Sequence, residues 1–418
     1  MRIIGSSEER RLRALLDRRP GRDPALERRV ARIVARVRAE GDAALLSYAR
    51  RFDGLTLPFE VGRSEMEDAA RGVPPEVKAA IRTAARRIAA VARRQMPGAW
   101  SLSPVPGVRV AQRALALERV GCYVPGGRHP LPSSLLMTAI PARVAGVREI
   151  VAICPRPAPV VMFAALAAGV SRLFRAGGAH AIAALAYGTA TVPRVDKIVG
   201  PGSAWVAAAK ARVAADCGVD FFAGPSELAV VSTRGRAAWI AADLIAQAEH
   251  DPDARVVLFT PARRLAEGVL RAVRRALPPR GAARSALSRN GGIVLTRSLD
   301  EAISLSERMA PEHVLCDSTD VAGRLARAGT IFVGNYSAPA CGDYVTGSNH
   351  VLPTMGVAAV RGGLSAADFV RVVNVQRISR AGLRRIGRDG IALATAEGLP
   401  AHAASIRLRL DPSERSQS

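Results

Sequence analysis

The chain predicts an α/β protein built on parallel, doubly wound sheets, and three observations carry that prediction. Apolar runs of roughly four to six residues alternate with helix-like segments of about ten. Several of these runs close on a glycine-containing loop that leads straight into a helix, as at Gly177-Gly178 and Gly200-Pro201-Gly202. The length, 418 residues, exceeds what one hydrophobic core usually serves, so at least two domains are expected.

Residues 1 to about 100 read as helical. Leu26, Val30, Ile33, Val34 and Val37 recur at i, i+3, i+4 spacing, and Glu76 to Gln95 form an Ala-rich amphipathic segment ended by Pro97-Gly98. Near Val120 the texture changes: ERVGCYVPGG is an apolar run closed by a Gly-rich turn. Strand-like EIVAIC (149–154), SRLFRAGG (171–178) and DKIVGPG (196–202) then alternate with helices predicted over Val160–Ala168, Ala179–Tyr187 and Ala204–Ala215. A second alternation follows, with LAVVST (228–233), a helix Trp239–Glu249, RVVLFT (255–260) and a helix Ala262–Leu277. GGIVLT (291–296), HVLCDS (313–318) and TIFVG (330–334) supply further strands, and from Leu364 onward the pattern is helical again. The two α/β units span about 119–225 and 226–366, the second completed by the N-terminal helices. Open sheets of this kind bind ligands in the crevice at the carboxyl ends of their strands.

Composition narrows the function classes. An apolar fraction of 49% and a charged fraction of 23% belong to an ordinary globular protein. No apolar run is long enough for a membrane span, and MRIIGSSEERRLRALLDRRPGR has acidic residues but no apolar core, unlike a secretory signal. Cys122, Cys154, Cys217, Cys316 and Cys341 are odd in number and widely spaced, which predicts reduced thiols and a cytoplasmic protein. A net charge of +24 raises a nucleic-acid reading. Its distribution lowers it: the arginines are scattered through every segment, only Lys78, Lys197 and Lys210 are lysine, and aromatics for base stacking amount to 4%.

Polar chemistry concentrates in four short segments: DLIAQAEHDPDA (243–254), MAPEHV (309–314), CGDYVTGSNHVLPT (341–354) and AEGLPAH (396–402). Four of the six histidines, His250, His313, His350 and His402, lie there. Histidine titrates near neutral pH and ligates transition metals, and carboxylates set its charge and tautomer, so the pattern points to an enzyme. Gln247 and His250, three apart at the end of a helix, share a face. Asp251-Pro252 then stops the helix, and by itself His250 is equally a terminal residue facing the helix dipole. Glu312 and His313 are adjacent after a proline, with His as proton acceptor and Glu as activator of water if both reach one site. Asp343, in a tight loop between glycine and tyrosine, suits metal ligation or helix capping, while His350 and His129 read as structural or surface residues. Two imidazoles, a carboxylate and an amide oxygen suit Zn²⁺ with open coordination positions. HExxH is absent, which argues against a zincin peptidase, and no GxGxxG fingerprint follows any strand. The loops YVPGGRHP, RAGGAH and VGPGSAW could still cradle a nucleotide, although each alone is equally an ordinary turn.

In order and spacing, YVPGGR, GGAHAIAALAYGT, VDKIVGPG, FAGPSE, DLIAQAEHDPDA, APEH, GDYVTGSNHVLPT and EGLPAH resemble the histidinol dehydrogenase family, from about Leu26 to Arg409. The resemblance implies oxidation of L-histidinol to L-histidine, through the aldehyde, by zinc and NAD, the last step of histidine biosynthesis. It implies zinc ligands at Gln247, His250, Asp343 and His402, and a catalytic pair at Glu312 and His313. Substrate contacts would fall on those ligands, His313, Ser226, Glu397 and Ser133, and NAD contacts on Tyr123, His180 and Ser203. Here the cofactor side departs from the family, which has glutamine at the position of His180 and asparagine at that of Ser203. His offers a single ring donor and Ser is shorter, so weaker or re-aimed NAD binding is expected. The implied fold is two incomplete Rossmann-like domains, 26–118 with 226–366 and 119–225, an N-terminal arm (1–25) and a helical C-terminal extension (367–418). In the implied homodimer, Glu397 and His402 act in the partner's site. A related dehydrogenase of another small polyol or amino alcohol, such as a sulfopropanediol, is the nearest alternative; a non-catalytic Arg-rich binding protein is the alternative from another class. Neither a nucleic-acid nor a membrane partner is expected.

Overall fold

The computed structural model describes residues 1–17, 23–127, 129–221 and 224–411; Arg128 of YVPGGR and Phe222-Ala223 of FAGPSE lie outside the described residues. The chain divides into two compact units, Met1–Gln95 with Leu117–Phe369, and Met96–Ala116 with Val370–Ser418. In chain order the first strands are β1 (Ile3–Gly5), β2 (Glu60–Val61), β3 (Trp100–Val105), β4 (Val108–Ala116) and β5 (Arg119–Tyr123). Next come β6 (Glu149–Ile153), β7 (Arg172–Phe174), β8 (Lys197–Val199), β9 (Gly218–Val219) and β10 (Glu227–Val231). The last are β11 (Arg255–Thr260), β12 (Gly291–Leu295), β13 (His313–Cys316), β14 (Thr330–Val333) and β15 (Val370–Ile378).

The larger unit holds two six-stranded sheets. One runs β1-β12-β11-β10-β13-β14, wholly parallel. Its chain leaves β10 toward β11 and β12, then returns to add β13 and β14 on the other side, so the winding reverses between β10 and β13. The other runs β2-β7-β6-β5-β8-β9, parallel except for β2, and reverses between β5 and β8. Successive side chains on a strand face opposite ways. Leu228 and Val230 accordingly enter one core while Ala229 and Val231 enter the core on the opposite face. Both faces being covered, these strands are continuously apolar, and each buried aliphatic side chain contributes roughly 1.5–3 kcal/mol.

The N-terminal segments divide between the two sheets, which corrects the predicted assignment. In the N-terminal arm, β1 pairs with β12, and the helix Glu9–Leu16 buries Leu12 and Leu16 in the β10–β13 core. The helix Pro24–Glu40, capped by the Asp23 carboxylate on the N–H groups of Ala25 and Leu26, sends Val30, Val34 and Val37 into the core with Phe174 and Leu185 instead. β2 likewise joins β7. The helices of 26–118 thus complete the 119–225 half and not, as expected, the 226–366 half.

The smaller unit is an antiparallel sheet, β15-β4-β3, with the helices Arg380–Ala396 and Pro400–Leu410. β15 corrects the expectation that everything after Leu364 is helical: Val370–Ile378 pairs along its whole length with β4. The two helices pack closely, since a Cβ at Gly387 or Gly390 would meet Leu410 or Ile406 at under 3 Å.

Candidate active site

Parallel pairing of β10 with β13 brings the amino ends of the two strands together, Leu228 opposite His313. That register sets Glu227 beside both residues of the predicted catalytic pair. The Glu227 N–H donates to Glu312 Oε2 at 3.0 Å, and His313 Nδ1 lies 3.3 Å from the Glu227 carbonyl oxygen. Nδ1 therefore carries the proton, and Nε2 is left as an acceptor. The Glu227 side chain pairs with buried Arg255, which also donates to the carbonyls of Leu15 and Leu16 at the end of the first helix. Glu312 and His313, neighbours in sequence, are held by the two backbone groups of a single residue.

Gln247 and His250 come from the last turn and cap of the helix Ala237–Glu249. Asp343 lies in the short helix Pro339–Tyr344 where a loop was expected. His250 Nε2 stands 3.9 Å from Asp343 Oδ2, His313 Nε2 3.9 Å from Asp343 Oδ1, and Gln247 Nε2 3.5 Å from His313 Nδ1. These are contacts within one cluster, longer than good hydrogen bonds. His350, read from sequence as structural or surface, belongs here too: it is half-buried, its Nδ1 donates to the Asp343 carbonyl at 2.8 Å, and it lies 4.0 Å from Asp343 Oδ1. The seven-residue spacing from Asp343 across a Gly-containing turn was the available signal.

Burial dominates the electrostatics. It lowers the His250 imidazole, lowers His313 to about 3, where nearby His350 and His250 add to the effect, and lowers His350 to about 4. It raises Asp343 to about 7 and carries Glu312 well above the usual carboxylate range, with Glu227 and Asp343 adding to that rise. Among the described residues the ion-pair partners of Asp343 are all imidazoles. A buried carboxylate facing neutral imidazoles and an amide is a donor set that a divalent cation would satisfy. No group of three or more His, Cys, Asp or Glu among the described residues is gathered closely enough to hold an ion. The predicted ligands within this unit are His250, Asp343 and the Gln247 amide.

Around these residues, Ser226 immediately precedes β10, and Ser133 lies in the first turn of the helix Pro132–Val144, both half-buried. Asn349, next to His350, donates to the Met137 carbonyl of that helix at 2.7 Å. Glu397 and His402 belong to the smaller unit. There Glu397 caps the helix Arg380–Ala396 and His402 occupies the first turn of the next, both exposed.

The predicted cofactor residues gather at the carboxyl ends of the β5 sheet. Tyr123 ends β5 at the reversal point, buried, its hydroxyl accepting from the Gly178 N–H at 3.1 Å. Ser203 caps the helix Ala204–Val213 with an exposed hydroxyl that makes no capping bond. His180 is placed differently from a free cofactor contact. It is 2% exposed, and its Nε2 lies 2.8 Å from Asp53 Oδ2, an atom that also accepts from the Gly177 N–H at 2.9 Å.

The corresponding crevice of the β10 sheet, lined by Ser232, Arg236, Trp239, Asp243 and Asp317, presents a carboxylate instead. Asp317, just past β13, accepts from the Ser232 hydroxyl and the Thr233 N–H, each at 2.7 Å, where a ligand anion would sit. The cluster of Glu312, His313, Gln247, His250 and Asp343 lies at the opposite, amino-terminal edge of that sheet.

The chain is similar to known proteins over nearly its whole length. The histidinol dehydrogenase family pattern matches residues 16–410. Histidinol dehydrogenase from Aromatoleum aromaticum is 44% identical, covering 96% of this chain and 94% of its own. That from Geobacter sulfurreducens is 45% identical over 92% and 93%. A crystal structure of histidinol dehydrogenase from Elizabethkingia anophelis superposes with a TM-score of 0.92 at 31% identity, covering 98% of this chain and 97% of that one.

Proposed function

The chain belongs to the histidinol dehydrogenase family, an oxidoreductase lineage acting on histidinol, and on that premise we propose that it oxidises L-histidinol to L-histidine in two NAD-dependent steps, with one divalent cation, preferably zinc, at each site. The observation that carries the reading is the convergence of Gln247 and His250, Glu312 and His313, and Asp343 from three distant stretches of chain.

Gln247, His250 and Asp343 are the residues that would hold the cation, joined by His402. When bound, the cation supplies a Lewis-acid anchor for the substrate's polar groups and the dinucleotide supplies the hydride acceptor. The protein's own part is proton management and positioning. His313 is neutral near pH 7 and its Nδ1–H is committed to the Glu227 carbonyl, so Nε2 is the base for the hydroxyl proton as the alcohol becomes an aldehyde. Glu312, held by the Glu227 N–H in a buried setting, has the raised basicity of a group that takes a proton from water. The water adds to the aldehyde carbon, and the hydrate loses a second hydride to give the carboxylate. Two NADH form per histidinol, because alcohol to acid is a four-electron change.

Glu397 and His402 act, in this reading, in the partner subunit of a homodimer. Support comes from the smaller unit, which leaves Leu393, Leu399, Leu408, Val372 and Ile378 exposed, more large apolar side chains than so small a fold needs in water. The test is an assay with histidinol, NAD and Zn²⁺ beside Glu312→Gln. The wild type should yield two NADH per histidinol, and the variant about one, with aldehyde trappable by a hydrazine. A normal yield of histidine from the variant rules out the water-activating role, and no NADH from the wild type rules out the substrate.

A further inference from the structure

Of 60 basic residues only three are lysine, and one of them, Lys210, is 2% exposed. The chain uses arginine at other buried positions, Arg175 and Arg255, each paired with a glutamate. Lysine differs from arginine in presenting a compact point charge with three swivelling donors instead of a planar fork. Its burial at 210 therefore marks a place where a small, multiply donating cation is required.

The geometry shows what it does. Lys210 Nζ donates to the Gly200 carbonyl at 2.5 Å and to Asp220 Oδ1 at 2.6 Å. Asp220 Oδ2 accepts from the Gly200 N–H at 2.7 Å, and Oδ1 from the Phe221 N–H at 2.7 Å. One buried ion pair thus holds both backbone polar groups of Gly200. That glycine has φ +115°, and a Cβ on it would meet the Tyr123 carbonyl oxygen at 2.2 Å. It follows β8, and Ser203 begins the helix that carries Lys210 itself two turns on. Replacing a buried ion pair by neutral groups often costs little stability, so a pair that grips both sides of one loop residue is better explained by geometry than by stability.

We propose that Lys210 and Asp220 are positioning residues for the dinucleotide: they lock Gly200 against β5, and so fix Gly202 and Ser203 at a set distance from Tyr123. Neither residue touches the cofactor. The proposal rests on the reading that this crevice takes NAD.

The experiment measures NADH affinity by fluorescence titration, and KM for NAD and for histidinol, in the wild type, Lys210→Met with Asp220→Asn, and Lys210→Arg. The double variant removes both charges at once, which avoids leaving one ion buried and unpaired. The expected result is a dinucleotide Kd raised on the order of tenfold in the folded double variant, with KM for histidinol and zinc content within about twofold of wild type. Lys210→Arg should weaken the dinucleotide as well, because the longer fork cannot serve Gly200 and Asp220 in the same enclosed space. An unchanged Kd in the folded double variant overturns the proposal, as does a parallel loss of histidinol and dinucleotide binding, which is general loosening. Should the double variant not fold, unchanged affinity in Lys210→Arg overturns it equally. A wild type that binds NADH but leaves histidinol untouched counts against the substrate and not against this pair.

Discussion

Asp343 shows how a single residue's surroundings decide its chemistry. In sequence it is a carboxylate in a Gly-flanked segment; in the fold it is buried among imidazoles that carry no charge, and burial raises it to about 7. A cation beside it would reverse that, since opposite charge favours the ionised form. Asp343→Asn is therefore expected to leave the fold intact while the purified protein loses its stoichiometric zinc. Metal analysis beside a melting curve checks both halves, and full retention of zinc removes Asp343 from the ligand set. On the cofactor side, His180 and Ser203 are not equivalent departures. Nε2 of His180 is committed to Asp53, whereas the Ser203 hydroxyl is exposed and uncommitted. Ser203→Asn should therefore tighten NAD by several-fold, on the order of 1 kcal/mol for one added hydrogen bond, and His180→Gln should change it less. Titration of the two variants decides this, and the reverse order counts against the placement of the dinucleotide over Ser203.

Among the elements, the legible ones were those with a pattern of their own. RVVLFT (255–260) is a strand over its whole predicted length, and Gln247 and His250 do sit at a helix end, because hydrophobic period and the Asp251-Pro252 stop act locally. β15 is hard to read as a strand although VRVVNVQRI has alternating character; its neighbours on both sides are helical, and its pairing partner β4 is more than 250 residues away. The partner sheet of the N-terminal helices was equally illegible, since an amphipathic stripe states that a face is buried but not against what. The short strand β2 shows how such docking is held. Arg172 of β7 donates to both carboxylate oxygens of Glu60, at 2.8 and 2.7 Å, and this bond holds the Glu60 carboxyl below its usual range against a smaller opposing effect of burial. A folded pKa below the unfolded one means the stabilisation is present at neutral pH and is lost as pH falls through the carboxylate range. Both side chains are about a third exposed, 34% and 38%, so solvent screening limits the effect. Glu60→Gln should cost less than about 1 kcal/mol at pH 7, with the gap to wild type closing below about pH 4. Denaturant melts at the two pH values measure it, and a gap that widens in acid contradicts the assignment.

For the whole molecule, the proposed dimer makes a prediction that no single-chain account shares. If His402 serves the partner's site, a mixed dimer of His250→Asn and His402→Asn subunits carries one site with both changes and one with neither. Each variant alone should be inactive, and after denaturation and refolding together at equal amounts about a quarter of wild-type activity should return, half the dimers being mixed with one good site in each. No recovery in refolded mixtures that demonstrably contain hybrids places His402 in its own subunit's site. The two sheets also present their candidate residues at opposite edges. Tyr123 and Ser203, the proposed cofactor contacts, stand at the carboxyl ends of the β5 sheet, where open α/β folds bind ligands. At the matching end of the β10 sheet Asp317 bonds to Ser232 and Thr233, and the candidate chemistry sits at the amino ends of β10 and β13.

By itself the sequence determined the α/β class, most strand positions, the family, and the residue types of the candidate site, because periodicity, turn residues and motif strings are all properties of short stretches. Only the tertiary structure decided that Glu227 grips Glu312 and His313 together, that His350 joins the cluster, that His180 is bonded to Asp53, and that Lys210 faces Gly200. Each of these is a meeting between residues whose separation along the chain carries no record of it, set by strand register and by which helix packs on which sheet.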